Sequence, residues 1–396
     1  MHVALAQGTY TIQQVIEVAR KNNASLKASD YDVKSQEYLK RTSFDLPKTN
    51  VSLLYGQYNS FARNDNNITV SQTIPFTVFG GQAAYNRSLA ASAILKRDMT
   101  ENELLFQVKQ VYYQLAYSVA RRALLVQQDS ILEGFLKSAA LRYKTGEATL
   151  LEKTTAETQS IEIKNQLHQS DADVRTLQSQ LQVLVGIKEI PTVPGNELDE
   201  AELLESVDTS SLSLNPSLAY VRQQAEVAKA EKKLQNARFA PDLQLGFFNQ
   251  TLIDVPNPET GILATNSTRF TGFQVGLAIP LWFVPHQARV KAAEAASQAA
   301  LNTYQYQKSI LGGQLYQATE QYAKNRKSVD YYRTSALLNA NLILKQSQTA
   351  FQAGEIGYAE YLLAVRSAAS IKDGYLAAVN SLNQSIIFIE YLKGNK

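Results

Sequence analysis

Hydrophobic positions along this chain change their period in a fixed order, and the order is given twice. Residues 11–43 carry helical spacing, opened by Thr11 as a cap and stopped near Pro47. Val51, Leu53 and Tyr55 then alternate with polar residues, as do Ile68, Val70 and Ile74 beyond the polar tip Arg63–Asn67; this predicts a β-hairpin with one apolar face. From Gly81 to Tyr143 the spacing returns to threes and fours through Leu104, Val108, Val111, Leu115 and Val119, a helix about 90 Å long if unbroken. After Gly146 a second helix follows the stripe Ile163, Leu167, Ser170, Val174, Leu177, Leu181 and Leu184, and Gly186 is placed for a left-handed C-terminal cap.

The second half repeats the scheme. A helix over Pro216–Arg238 precedes strands at Leu243–Phe247 and Phe273–Ile279, a long helix from His286 to Phe351 and a last helix from Tyr358 to Leu392. The long helix has a seven-residue repeat through Leu301, Lys308, Leu315, Tyr322, Val329, Ala336 and Ile343, with Tyr304, Leu311, Ala318, Asn325, Tyr332 and Asn339 three residues on, which favours left-handed supercoiling. Gly312-Gly313 within it reads as a close-packing point or kink. The predicted organisation is an N-terminal tail at 1–10, a first repeat at 11–187 with its β-hairpin at 49–75, a connection at 188–214, and a second repeat at 215–393 with its β-hairpin at 242–280. The second hairpin loop, around 253–267, is polar and without pattern, as an exposed connection is.

Each helical hairpin turns on the same motif. Tyr143-Lys-Thr-Gly146-Glu147-Ala-Thr-Leu-Leu151-Glu152 returns as Phe351-Gln-Ala-Gly354-Glu355-Ile-Gly-Tyr358-Ala-Glu360. The glycines suit a positive-φ turn, and Glu147 and Glu355 are expected near the amino end of the returning helix, where the dipole favours an acid. The glutamates serve equally well as simple caps.

Composition narrows the function classes. The 396 residues carry a net charge of only +3, which gives a nucleic-acid partner no strong electrostatic support. There is no cysteine, so thiol catalysis and cysteine-ligated zinc are excluded. His2, His168 and His286 are far apart, none lies in a ligand-spaced motif, and with Met1 and Met99 the only methionines a soft-metal cluster is missing; no metal site, cofactor or catalytic residue is predicted. No run of about eighteen apolar residues occurs, which excludes a transmembrane helix but not a β-barrel. Val3-Ala4-Leu5-Ala6-Gln7 looks like the end of a secretory signal.

Four strands are too few to close a barrel around a sizeable lumen, although several copies of the chain could do so together. Val51, Leu53, Tyr55, Val70, Ile74, Leu243, Leu245, Phe247, Phe273, Val275, Leu277 and Ile279 would then face lipid, and the alternate polar positions a wet interior. The competing arrangement is a four-stranded sheet with its apolar face on the helices. A soluble coiled-coil scaffold also explains the rods, but it leaves the alternating hairpins without a purpose.

The order helix, β-hairpin, helical hairpin, given twice, resembles the TolC-type outer-membrane efflux proteins across nearly the whole chain, most closely their cation-efflux branch. The duplicated tips carry the likeness, with the strand ends Ser71-Gln-Thr-Ile-Pro75 and Gly276-Leu-Ala-Ile-Pro280. The resemblance implies a mainly α fold with a small β part: a homotrimer in which four strands per chain build a shared twelve-stranded outer-membrane barrel, with the helices forming a hollow coiled-coil tunnel in the periplasm of a Gram-negative cell. It further implies a passive exit duct for heavy-metal cations or drugs, joined through a periplasmic adaptor to an inner-membrane transporter of the RND type, in contact with outer-membrane lipid. The family's adaptor contacts, carried over by position, fall on Gly146, Glu147, Leu151, Glu152, Gly354, Glu355 and Glu360. Some members of the branch carry a lipid-bearing cysteine, from which this sequence departs.

Overall fold

The computed structural model describes residues 10–58, 60–189, 192–194, 198–201 and 209–394. The signal-like Val3–Gln7 and much of the connection at 188–214, Pro191 included, lie outside the described residues. The elements are α1 (Ile12–Asn22), α2 (Ala24–Leu39), β1 (Asn50–Tyr55), β2 (Asn66–Ile74), α3 (Phe76–Lys144), α4 (Leu150–Val185), α5 (Pro216–Ala237), β3 (Asp242–Gln250), β4 (Phe270–Ala278), α6 (Phe283–Tyr331), α7 (Leu337–Gln352) and α8 (Tyr358–Lys393). No described helix is long and apolar enough to cross a membrane.

The compact units cut across the tandem halves. One unit gathers residues 1–29, 97–218 and 308–396, the other 30–96 and 219–307. Each is therefore built from matching pieces of both repeats.

In the first unit Thr11 caps α1 reciprocally: its Oγ accepts from the Gln14 N–H at 3.4 Å while the Gln14 side chain accepts from the Thr11 N–H at 2.9 Å. The single helix expected over 11–43 is instead broken at Asn23. Its Oδ1 accepts from the N–H groups of Ser25 and Leu26, and its Nδ2 donates to the Leu184 carbonyl at 2.9 Å, so Asn23 ends one helix, caps the next and ties both to α4. Gly186 does adopt the left-handed cap at φ 71°, and a Cβ there would meet the Asn22 carbonyl oxygen at 3.1 Å. The core joins Val15, Ala19 and Leu26 to Val108, Leu115, Leu181, Val329, Val379 and Leu382, so the stripes read from the sequence converge on one another.

The long helix of the second repeat is interrupted, but not where the sequence suggested. Nothing lies within 4 Å of a Cβ built on Gly312 or Gly313, and α6 passes through both without a break. The irregularity is a π turn at Tyr332–Ala336. One extra residue per turn advances the register by one, so the seam that buries Leu311, Leu315, Ala318, Asn325, Val329 and Ala336 continues through Ala340 rather than the expected Asn339. The Tyr332 ring fills the space beside Gly374 of α8, where an added Cβ would come within 2.5 Å of its hydroxyl.

In the second unit the four strands form one antiparallel sheet in the order β1-β2-β3-β4. The middle pairing, β2 with β3, joins the two repeats, with Val70 opposite Phe247 and Ile74 opposite Leu243. Beneath it, Gly81 lets α3 approach α5, a Cβ there lying 3.2 Å from the Leu234 Cα. The two hairpin loops are tied through Asp65, which is fully buried. Its carboxylate accepts from the Ser60 hydroxyl, from Thr251 Oγ1 at 3.0 Å and from the Ile253 N–H at 3.1 Å. The 253–267 loop is more ordered than its sequence suggested: Asp254 takes φ 70°, and Pro256 bridges Leu263.

Burial acts to raise the Asp65 carboxyl, but the Ser60, Ile253 and Thr251 donors outweigh it and hold it below the usual aspartate range. A folded-state value below the unfolded one stabilises the loops above the unfolded pKa, and the effect is lost as pH falls through the folded value. Protection of the Ile253 amide from hydrogen exchange, taken relative to an unstructured chain at the same pH, should therefore be high at neutral pH and fall only in acid, below about pH 3.9. Asp65→Ala should remove that protection at every pH.

Candidate functional site

Two places concentrate the duplicated features: the sheet and the helical-hairpin tips. Paired residues in an antiparallel ladder share a face. One row runs Val51, Val70, Phe247, Phe273, and another runs Ile74, Leu243, Leu277. Leu53, Tyr55, Leu245 and Val275 fall on the same side by register, and Ile279 continues its parity one residue beyond β4. The other face holds Asn50, Ser71, Gly246 and Gln274 in one row and Thr73, Gln244 and Gly276 in another. The ladder thus brings all the predicted apolar positions to one face.

That face is bare. Val51, Leu53, Tyr55, Phe273, Val275 and Leu277 are all exposed, Phe273 by 85%. Packing of the apolar face on this chain's own helices is thereby ruled out. Both β1 and β4 are edge strands, each with one row of unpaired backbone groups. Ile68, part of the predicted alternation, joins the apolar face opposite Leu53, and Phe248 lies on the polar face over Gly272, where a Cβ would come within 2.5 Å of its ring. The signal for Phe248 was the glycine opposite it, legible only once the register is known.

At the first tip Gly146 takes φ 82°, and the N–H groups of Glu147 and Ala148 donate to the Arg142 carbonyl at 2.8 and 3.2 Å. At the second, Gly354 takes φ 74° and the Glu355 N–H donates to the Ala350 carbonyl at 2.9 Å. Both are Schellman-type closures, which satisfy the last carbonyls of the outgoing helix. The expected place of the acids needs correction. Glu147 and Glu355 lie before the caps Thr149 and Gly357, and the acids in the first turn of the returning helices are Glu152 and Glu360. Three residues of turn intervene before each helix starts, which shifts the dipole position from the first glutamate of the motif to the second.

The copies cap differently. Thr149 Oγ1 accepts from the Glu152 N–H at 3.2 Å, whereas Glu360 Oε2 accepts from the Gly357 N–H at 3.2 Å. Each uses one half of a capping box. Gly146, Glu147, Leu151, Gly354, Glu355 and Glu360 are exposed and Glu152 is half-buried.

An aromatic joint missed in the sequence binds the two tips together. Phe135 of α3 has its ring centroid 5.6 Å from those of both Phe351 and Tyr358 and 4.7 Å from that of Tyr361, while Phe351 stacks on Tyr361 at 4.9 Å and 11°. Phe351 and Tyr358 belong to the duplicated motif, but their counterparts Tyr143 and Leu150 are exposed. The Tyr358 hydroxyl is buried without a hydrogen-bond partner, and burial, with Glu152 nearby, pushes its pKa up. Among the described residues no group of three His, Asp or Glu side chains is placed to hold a metal.

Residues 209–394 match the family profile described as outer membrane efflux protein. The chain is 20% identical over 408 aligned positions, covering 98% of its own length and 91% of the relative's, to the cobalt-zinc-cadmium resistance protein CzcC of Cupriavidus metallidurans. Its fold superposes on the outer-membrane channel OprN with a TM-score of 0.82, at 14% identity, over 97% of this chain and 90% of that one. For the channel CusC the TM-score is 0.78 at 16% identity, over 99% and 96%. The second half of the chain matches the outer membrane efflux protein family, and the whole chain has the fold of outer-membrane channels.

This efflux protein is a TolC-type channel of the Gram-negative outer membrane, its helical part in the periplasm. A soluble scaffold is thereby excluded. The family consists of passive channels rather than enzymes.

Proposed function

We propose that three copies of this efflux protein close their sheets into one twelve-stranded barrel and act as the passive exit duct of a three-part pump, without catalysis of their own. The observation that carries the reading is the sheet: four strands, two unpaired edges, one bare apolar face and one polar face. Such a sheet cannot close alone, and three copies joined β4 to β1 remove every edge. The apolar rows then meet lipid and the polar rows line the lumen.

The exposed tip residues Gly146, Glu147, Leu151, Gly354, Glu355 and Glu360, with the half-buried Glu152 beside them, are the surface offered to a periplasmic adaptor, and through it to an inner-membrane transporter of the RND type. The likeness to a cobalt-zinc-cadmium resistance protein supports a divalent metal cation as cargo, ahead of drugs. Threefold repetition turns each tip acid into a ring, which favours cations at the entrance.

Detergent-extracted protein should run at three chain masses and conduct ions in planar bilayers with cation preference. Replacing Glu147, Glu152, Glu355 and Glu360 together by glutamine should lower that preference while leaving the trimer intact. A monomer without conductance would overturn the duct, and unchanged selectivity would remove the acid rings.

A further inference from the structure

The π turn at Tyr332–Ala336 shifts every contact of α7 by one residue. Without it, the seven-residue repeat would bring Asn339, Ile343, Gln346 and Ala350 onto the seam that holds Val329 and Ala336. The seam instead runs through Ala340, Leu344, Ser347 and Phe351. Ala340 and Ser347 are buried, Leu344 and Phe351 pack on the tip core, and Asn339 and Gln346 are exposed. The offset keeps two amide side chains out of the seam, and it carries Phe351 to its stack on Tyr361. A π turn is rare within a regular helix, and this one is held by side chains from outside it.

Those side chains belong to the connection between the repeats. Glu200 Oε2 accepts from Arg326 Nη1 at 3.2 Å, and Oε1 pairs with Arg333, the second residue of the π turn. Arg326 and Arg333 are about two turns apart, within reach of one carboxylate. With 19% of its side chain exposed, Glu200 is better shielded from water than an ordinary surface partner. The segment that carries it is itself tied to α8. Asn383, fully buried, donates from Nδ2 to the Asp199 carbonyl at 2.9 Å and accepts through Oδ1 from the Ala201 N–H at 2.8 Å. Leu198 anchors the same segment in the core around Leu115. The turn is thus indexed against α8 twice, through Glu200 and through the Tyr332 ring beside Gly374.

We propose that Glu200 is a positioning residue: through Arg326 and Arg333 it holds the one-residue offset of α7. The connection between the repeats then determines which face of the second helical hairpin meets α8 and which is presented at the tip. That the presented face receives an adaptor rests on the proposed use of the tips; the offset itself does not.

The sequence has no cysteine, so an engineered thiol is unique. Ser347→Cys and Gln346→Cys, made singly in the full-length protein in detergent, report the two seams by their rates of reaction with a maleimide. The thiol at 347 should react slowly and the thiol at 346 fast. Glu200→Gln should raise the rate at 347 about tenfold and lower the rate at 346, because buried and exposed positions exchange. Glu200→Asp, which keeps the charge, should retain the parent contrast. Ser118→Cys, at a buried position of α3, should stay slow in every background. An unchanged contrast between 346 and 347 in Glu200→Gln overturns the proposal. So does a rise at both positions or at 118, since loosening without exchange makes Glu200 a general support of the fold. Bilayer conductance of the same preparations answers the duct reading separately. Conducting protein with an unchanged contrast would remove the positioning role alone, and protein that shows the exchange without conducting in its parent form would remove the duct alone.

Discussion

Replacing Val70 by arginine is expected to abolish the assembled channel. Val70 sits in the middle of β2, with Val51 on one side and Phe247 on the other, in the row of apolar side chains that crosses all four strands. A guanidinium at the lipid midplane of a barrel costs about 2–4 kcal/mol, falling toward the interfaces. Three copies would place three such charges in one barrel, so the loss is multiplied where the walls must join. Ser71→Arg is the matched control, one residue along and on the opposite face, opposite Asn50 and Gly246. It should assemble, resist heat in detergent as the parent does, and show lower cation conductance. Heat-resistant oligomer on semi-native gels, followed by bilayer recording, reads both variants. Equal tolerance of the two substitutions would mean that the faces are not differently solvated.

Phe135→Ala should uncouple the two helical hairpins at their tips. Phe135 is 7% exposed and touches three aromatic rings of the other hairpin's turn, so truncation removes its own burial and leaves Phe351, Tyr358 and Tyr361 around a cavity. Losses of this kind run at about 3–5 kcal/mol when the surroundings cannot collapse. The core of the same unit around Leu115 and Leu382 is a separate cluster, so the damage should stay at the tip. Trypsin reports it directly, because Arg142 and Lys144 stand just before the first turn. Cleavage there should become much faster than in the parent, with the melting temperature of the oligomer nearly unchanged. A uniform loss of stability with no change in tip cleavage would show that the aromatic joint does not set the position of the hairpins.

The order of elements was readable because each rests on local rules: Thr11 with Gln14, Gly186, and the alternation through Val51, Leu53 and Tyr55 act within a few residues. Both faces of the sheet followed from that alternation. What escaped depends on partners distant in sequence. Asn23 breaks a helix because the Leu184 carbonyl is there to receive its amide. The π turn leaves no pattern in the apolar residues until Ala340 is seen buried in place of Asn339. Phe135 reads as one more stripe residue, and only the meeting of the two turns makes it a joint. Within the tips, the glycines were legible from their conformational demand, while the choice between Glu147 and Glu152 as the dipole-facing acid needed the exact start of α4.

The register between β2 and β3 bears on how the channel is put together. That ladder joins the second strand of one repeat's β-hairpin to the first strand of the other's within a single polypeptide, and the proposed β4–β1 junction asks for the same kind of ladder between separate molecules. A ring of six hairpins has six joints. Covalent linkage makes three of them intramolecular, formed at an effective concentration set by the chain rather than by supply from solution. Assembly is then third-order in a building block that already carries half its joints, and dilution acts on the remaining three alone.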